Sequence, residues 1–336
     1  GLSAVTARAK TQIVHNLPMQ FAEFKLRDSV TEGLVSLSKD APPPVLRIKQ
    51  GQPALMRVHN GIDEYTAMHW HGIRLPNAMD GVPYLTQFPI AGGETFEYAF
   101  TPPDAGTYWY HPHCMTMTQM TRGLTGVLVV EEEKDPGFDS EQVINLRDFR
   151  LDKDDALMEP YTLRAASRGG TKGNVRTANW LKGESYDHPT GGLTRIRIVN
   201  TDTSRIYKVH LESEVSPVQG RVIAWDGNPI NDPLPMPALD APAILGPGQR
   251  MEVAVLMGDL EGTVLNLIGQ LPGGNQTMAR LRAVGATIQR DLRHEKALPA
   301  NPVPMPDLDN AQMHEFVFGF SPSSAAPING FCGTLG

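Results

Sequence analysis

His69-Trp70-His71-Gly72 and, farther along, Thr107-Tyr108-Trp109-Tyr110-His111-Pro112-His113 are the two stretches whose reading decides the rest of this chain. Side chains alternate faces along a β-strand, so His-x-His in extended chain sets two imidazoles side by side on one face. Two such pairs facing each other make a four-imidazole pocket. Neutral imidazole suits copper, zinc, iron and nickel, and affinity for divalent first-row ions peaks at copper. The pattern predicts a metal site, with copper ahead of the others. The competing reading is four unrelated strand histidines. Against it, four of the ten histidines fall in these two short motifs, each flanked by aromatics and a glycine or proline.

Working outward, short β-type runs punctuated by Gly, Pro and Asn dominate: 45–49, 54–59, 95–100, 107–110 and 126–131. Helical periodicity is weak, and only 115–124 reads as a short helix or turn. The fold class is therefore all-β. With 32 glycines and 28 prolines the chain is rich in turns, yet its 40% hydrophobic content is enough for packed cores. The formal net charge of -7, without a Lys/Arg cluster, argues against a nucleic-acid partner. No run approaches the ~18 apolar residues of a membrane helix, so no membrane span is expected. The stretch Gly1 to Ala7 has neither an initiator Met nor an apolar signal core. That fits either a trimmed cytosolic chain or one whose export signal has been removed.

Laid on itself, the chain repeats. Gly51, Arg57, Val58 and Asn60 recur as Gly191, Arg197, Ile198 and Asn200, an offset of 140. Gly93 to Tyr98 matches Gly248 to Val253 at 155, and Gly106-Thr107-Tyr108 matches Gly262-Thr263-Val264 at 156. Two copies of one β domain are expected, 1–135 and 140–290. On these offsets His69 and His71 fall on Val209 and Leu211, while His111 and His113 fall on Leu267 and Gly269. The second copy would then carry mostly apolar residues where the first carries imidazoles. His210 sits one register off and is expected to face the other way. Beyond 290, the stretch 298–308 carries Pro299, Pro302, Pro304 and Pro306, a stiff linker. A strand-like 315–320 follows, so 291–336 reads as linker plus the start of a third unit.

Together with Gly123-Leu124-x-Gly126, the two histidine motifs make a chain that resembles the three-domain multicopper oxidases. These are laccase-like and copper-tolerance enzymes built from cupredoxin β-sandwiches. The resemblance spans nearly the whole chain, including 77–89, 195–200, Val222-Ile223-Ala224-Trp225-Asp226-Gly227 and 245–255. It implies tandem cupredoxin-like Greek-key β-sandwiches and copper as cofactor. His69 would ligate the type 2 ion of a trinuclear cluster, and His71, His111 and His113 the coupled type 3 pair. The implied reaction is one-electron oxidation of a small reducing substrate (a phenol, an aromatic amine or a metal ion) coupled to reduction of dioxygen to water. Asp80, in Met79-Asp80-Gly81-Val82, matches an acid placed near such clusters for proton delivery. Equally open is a plain turn residue before Gly81. The resemblance also implies a periplasmic or secreted location.

The departures carry weight too. The family's His-x-x-His-x-His and His-Cys-His-x3-His motifs do not occur in this sequence. They supply the other cluster imidazoles and the type 1 copper, which are therefore expected in a missing C-terminal cupredoxin domain. Cys114 follows His113, but the next histidine is His188, too distant for the Cys-His loop of a blue site. The stretch in hand is thus expected to hold half a trinuclear site and to be inactive alone. Two other functions stay open: a copper-binding or sequestration protein without turnover, and a copper-free structural member of the family. Whether Cys114 pairs with Cys332 is also open.

Among the remaining residues, His59 is expected to be solvated or capped. His15, His188, His294 and His314 read as surface residues. Met115, Met117 and Met120 read as packing residues rather than Cu(I) ligands. Trp70 and Trp109 are expected in the wall of the imidazole pocket.

Overall fold

The computed structural model describes residues 11–38, 41–160, 162, 170–290 and 298–317. The strands of its first part are β1 (Ile13–Phe24), β2 (Thr31–Ser36), β3 (Leu46–Lys49), β4 (Ala54–Asn60), β5 (Met68–His71), β6 (Thr95–Phe100), β7 (Gly106–Pro112) and β8 (Gly126–Glu131). Among the described residues one α-helix, α1 (Thr116–Thr121), lies between β7 and β8, and a 3-10 turn at Asn77–Met79 lies between β5 and β6. Then come β9 (Ser140–Phe149), β10 (Val175–Ala178), β11 (Glu184–Pro189), β12 (Leu193–Asn200), β13 (Tyr207–Ser213) and β14 (Gly220–Trp225). The last strands are β15 (Asn228–Pro235), β16 (Ala243–Leu245), β17 (Arg250–Leu256), β18 (Val264–Leu271) and β19 (Gly274–Val284).

Each half is a pair of sheets. The first half has orders β2-β1-β4-β6 and β3-β8-β7-β5. The second has β10-β9-β12-β17-β14-β15 and β11-β19-β18-β13-β16. The same scheme runs twice: β1 and β4 pair in parallel as do β9 and β12, and β3 and β8 as do β11 and β19. The other ladders are antiparallel, and several, such as β4–β6, β12–β17 and β13–β18, join strands that are not consecutive in sequence, as Greek-key crossovers require. The chain is a tandem of Greek-key β-sandwiches.

Alternation explains the cores. In the first sandwich Met56, Val58, Met68, Trp70, Tyr98, Tyr108, Tyr110 and Leu128 point inward from both sheets. In the second, Ile196, Ile198, Val209, Leu211, Val253, Leu267 and Leu281 do the same. The long strand β1 was not legible from pattern. It contains Pro18, which reads as a break, and it changes partners along its length, from β4 at 13–19 to β2 at 20–24.

Register corrects the sequence alignment of the repeats. Trp70 lies opposite Tyr110, and Leu211 lies opposite Leu267. All four point into their own cores, so Trp70 corresponds to Leu211 and Tyr110 to Leu267. The offsets are therefore 141 and 157, each one residue more than an ungapped comparison gives. A slip of one residue exchanges the two faces of a strand. His69 corresponds to His210, His71 to Glu212, His111 to Ile268 and His113 to Gln270, not to the apolar positions expected. His210 does face away from Val209 and Leu211, but that face is the one equivalent to the imidazole face.

The two sandwiches are joined tightly. Trp109, Val127 and Val129 on the outer face of β7 and β8 pack with Met120 against Val143 and Val199. Beside this apolar patch runs a buried ionic network. Glu252 of β17 takes Arg195 at 2.6 Å and Arg197 at 3.0 Å, and accepts from the Thr107 hydroxyl of the first sandwich at 2.5 Å. Arg195 also reaches Glu132 at 2.8 Å. Gly106 is required at the closest backbone approach, because a Cβ there would stand 2.4 Å from the Gly227 carbonyl oxygen.

The proline-rich segment straps this junction. Leu298 is buried against Leu193, Ile223, Ala224 and Ala254. The Asn301 amide donates to the carbonyls of Ala105 at 2.9 Å and Gly227 at 3.3 Å, and accepts from Ala105 N–H. Residues 315–317 are exposed and irregular, and the rest of the strand expected at 315–320 lies outside the described residues. So does Cys332, and with it the pairing with Cys114. Among the described residues no helix is long and apolar enough to cross a membrane.

Candidate metal centre

His69 and His71 lie on β5 and His111 on β7, with His69 directly opposite His111 in the ladder. Because Met68, Trp70, Tyr108 and Tyr110 take the core face, the histidines are forced onto the other face, toward the second sandwich. His113 follows the end of β7, its N–H donating to the Ala67 carbonyl at 3.0 Å. Ring centroids stand 5.6 Å apart for His69 and His71, 5.1 Å for His69 and His111, and 5.4 Å for His71 and His111. His113 stacks on His69 at 4.4 Å. All four predicted residues are brought together. Three of them, His69, His71 and His111, have ligand atoms within 4.8 Å of one another.

Hydrogen bonds set which nitrogens face inward. The Asp80 carbonyl can only accept, so His69 Nδ1 donates to it at 2.7 Å and leaves Nε2 as a lone pair. His111 Nδ1 likewise meets the Pro112 carbonyl at 3.2 Å. Its Nε2 then faces His71 Nδ1 at 3.2 Å. Two nitrogens bound to one metal at ~2.0–2.1 Å in a tetrahedral arrangement stand about 3.3 Å apart. The donor set fits a metal that takes imidazole.

Three of the four rings have their pKa lowered. Burial, with repulsion from Arg250, His69 and His113, lowers the His71 pKa to about 4. Burial and the neighbouring imidazoles lower His111 to about 3. Burial, with His69, lowers His113 to about 4 despite the opposing pull of Asp80. At neutral pH these rings are unprotonated, the form in which imidazole binds metal.

Asp80 stands beside the centre. Its carboxylate lies 3.4 Å from His69 Nδ1 and is about one-third exposed, while its carbonyl orients the same ring. Gly81 lets this loop close on β5: a Cβ there would lie 1.9 Å from the Met68 carbonyl oxygen.

Trp109 forms the wall as expected, 4.7 Å from the His71 ring and 4.4 Å from His111. Trp70 does not. It is fully buried among Tyr98, Phe100 and Tyr110, because it lies on the opposite face from its histidine neighbours. Met120 packs as expected, but Met115 and Met117 are 38% and 43% exposed and do not. His59 is exposed and meets the Thr95 hydroxyl at 3.0 Å. His15 is half-buried and His314 exposed, while His294 lies outside the described residues. His188 is not a surface residue: it is 3% exposed, with Nδ1 at 3.0 Å from the Ser140 hydroxyl. Ser140 lies on β9 of the facing sheet, so the ring turns toward the interior of the second sandwich.

Sequence reasoning missed what the second sandwich adds. Arg250 and Gly248 lie against Gly72, Trp109 and His71. The signal was present in part. Arg195, Arg197, Arg250 and Glu252 are charged residues in strands that otherwise read as buried, and such residues need partners.

Residues 19–135 match a family described as multicopper oxidase. The chain is 40% identical over 126 residues to copper resistance protein A of Pseudomonas syringae pv. tomato, covering 37% of this chain and 20% of that protein. It is 30% identical over 243 residues to laccase-1 of Cryptococcus neoformans, covering 67% of this chain and 37% of that one. The matches thus span well under half the length of these two curated relatives. The crystal structure of a multi-copper oxidase from Pseudomonas thermotolerans superposes with a TM-score of 0.81 at 35% identity, over 90% of this chain and 71% of that one. Both sandwiches are therefore cupredoxin-like. With its imidazole face in place and most of a solved relative's length matched, the chain belongs to the multicopper oxidase family.

Proposed function

We propose that this chain is the copper-binding portion of a laccase-like oxidase. In this reading a small reducing substrate is oxidised by single electrons and dioxygen is reduced to water. The single observation that carries it is the convergence of ring nitrogens from His69, His71 and His111 within 4.8 Å on one face. Copper supplies the one-electron redox chemistry when bound. The protein's own residues aim the ring nitrogens: Asp80 and Pro112 carbonyls fix His69 and His111, and Trp109 walls the centre. His69 belongs to a type 2 position, and His71, His111 and His113 to a type 3 pair, so the chain carries half a trinuclear cluster. Asp80 is placed to pass protons, with its partly exposed carboxylate beside His69.

The domains in this reading are 1–135 and 140–290, with 291–336 leading to a missing C-terminal cupredoxin domain that holds the type 1 copper. The protein is periplasmic or secreted. A second reading, copper binding without turnover, needs only the three converging imidazoles.

Copper titration of the chain, followed by spectroscopy, tests the proposal. Uptake without intense blue absorption and without oxidase turnover is expected for the chain alone, with turnover appearing when a third domain is supplied. A chain that takes up no copper would end both readings.

A further inference from the structure

We infer that Arg250 of the second sandwich is a positioning residue for the imidazole centre, so that this sandwich shapes a site to which it gives no ligand. The inference rests on the copper reading above. Arg250 is 5% exposed, and its guanidinium is spent on backbone carbonyls. Nε donates to Thr107 at 3.1 Å, Nη1 to Gly248 at 3.0 Å and Nη2 to Asp226 at 2.8 Å. The Asp226 carboxylate lies 3.3 Å from Nη1.

Each contact leads to the centre. Thr107 lies on β7, the strand that carries Trp109 and His111. Gly72, directly after His71, rests against the guanidinium so closely that a Cβ would stand 2.4 Å from Nη2. Gly248 backs onto the aromatic wall: a Cβ there would lie 3.2 Å from Trp109 and 3.7 Å from His71 Cε1. One planar fork therefore locks the end of β5, the start of β7 and the turn before β17 in fixed relation. A lysine offers a charge but not this geometry, because its ammonium is a point donor on a flexible stem.

Arg250→Met and Arg250→Lys, each loaded with Cu(II), are compared with wild type by chelator competition and electron paramagnetic resonance. Loss of groups that orient metal ligands typically weakens affinity by ~10–100-fold. Both variants are expected in that range, with altered copper hyperfine parameters. Arg205→Met, equally buried at 5% and paired with Asp148 elsewhere in the second sandwich, should lower stability and leave the copper spectrum unchanged. Should Arg250→Met not fold, Arg250→Lys decides, since it keeps charge and stem. Wild-type affinity and spectrum in Arg250→Lys overturn the proposal and leave the copper reading standing. Failure of the wild-type chain itself to take up copper overturns both.

Discussion

The strand pairs β5–β7 and β13–β18 are the same piece of architecture folded twice, and their outer faces have opposite fates. In the second sandwich His210, at the position of His69, has both ring nitrogens engaged. Nδ1 meets the Gln270 amide at 3.3 Å and Nε2 the Glu212 carboxylate at 3.3 Å. Gln270 in turn donates to the Leu239 carbonyl at 2.7 Å. The cluster closes on itself. In the first sandwich Nδ1 of His69 and of His111 are tied to the Asp80 and Pro112 carbonyls, and the other nitrogen of His111 meets only a third imidazole, Nδ1 of His71, at 3.2 Å. The fold demands apolar residues only at the inner positions. The outer face is free to become a polar patch or a metal centre, depending on whether its lone pairs are satisfied locally.

The sharpest break of this comparison is removal of one ring from each face. His111→Ala should cost copper affinity more than the ~10–100-fold typical of outer-shell changes, because it deletes a donor outright. His210→Ala should leave copper binding untouched and lower stability only. Equal copper stoichiometry and affinity in the two variants would show that the outer faces do not differ as described.

The junction between the sandwiches offers the next largest effect. Removing one member of a buried ion-pair network typically costs ~3–5 kcal/mol, and Glu252→Gln should fall in that range by denaturant unfolding. Burial alone would raise the Glu252 pKa, but Arg195 and Arg197, with the Thr107 hydroxyl, outweigh it and hold the group at about 2, against an ordinary 4.5. A depressed carboxylate contributes stability above its unfolded pKa and loses it as pH falls. Stability should therefore drop as pH falls from about 4.5 toward 2, and the Glu252→Gln variant should show a flatter acid limb. An unchanged limb would mean that other carboxylates control it.

The smallest expected difference lies on the inner faces, where the two copies should behave alike. Trp70→Ala and Leu211→Ala occupy equivalent core positions and should cost ~3–5 and ~2–5 kcal/mol respectively. Neither should alter the number of coppers bound by the protein that remains folded. A specific loss of copper in Trp70→Ala, beyond unfolding, would place that ring in the pocket wall after all.

Much of this was legible in the residues. The period-2 alternation sets His69, His71 and His111 on one face with Trp109, and Trp70 and Tyr110 on the other, against the expectation of Trp70 in the pocket wall. The strands at 95–100 and 126–131 stand where the pattern put them. Other elements were hidden for definite reasons. Pro18 disguises β1, and one extra residue before β13 shifts the repeat by a register that only hydrogen-bonded pairing reveals. His188 has no sequence partner, so its burial against Ser140 of β9 could not be read.

The sequence by itself determined the all-β class, the duplication and the four imidazoles on one face, because strand periodicity is a local property of the backbone. Only the tertiary structure decided what that face looks at. Arg250, Gly248 and Glu252 meet His71, Trp109 and Thr107 across a junction between residues far apart in the chain, and such contacts leave no periodic trace. Which lone pairs end up satisfied, and which remain for a metal, depends on that docking.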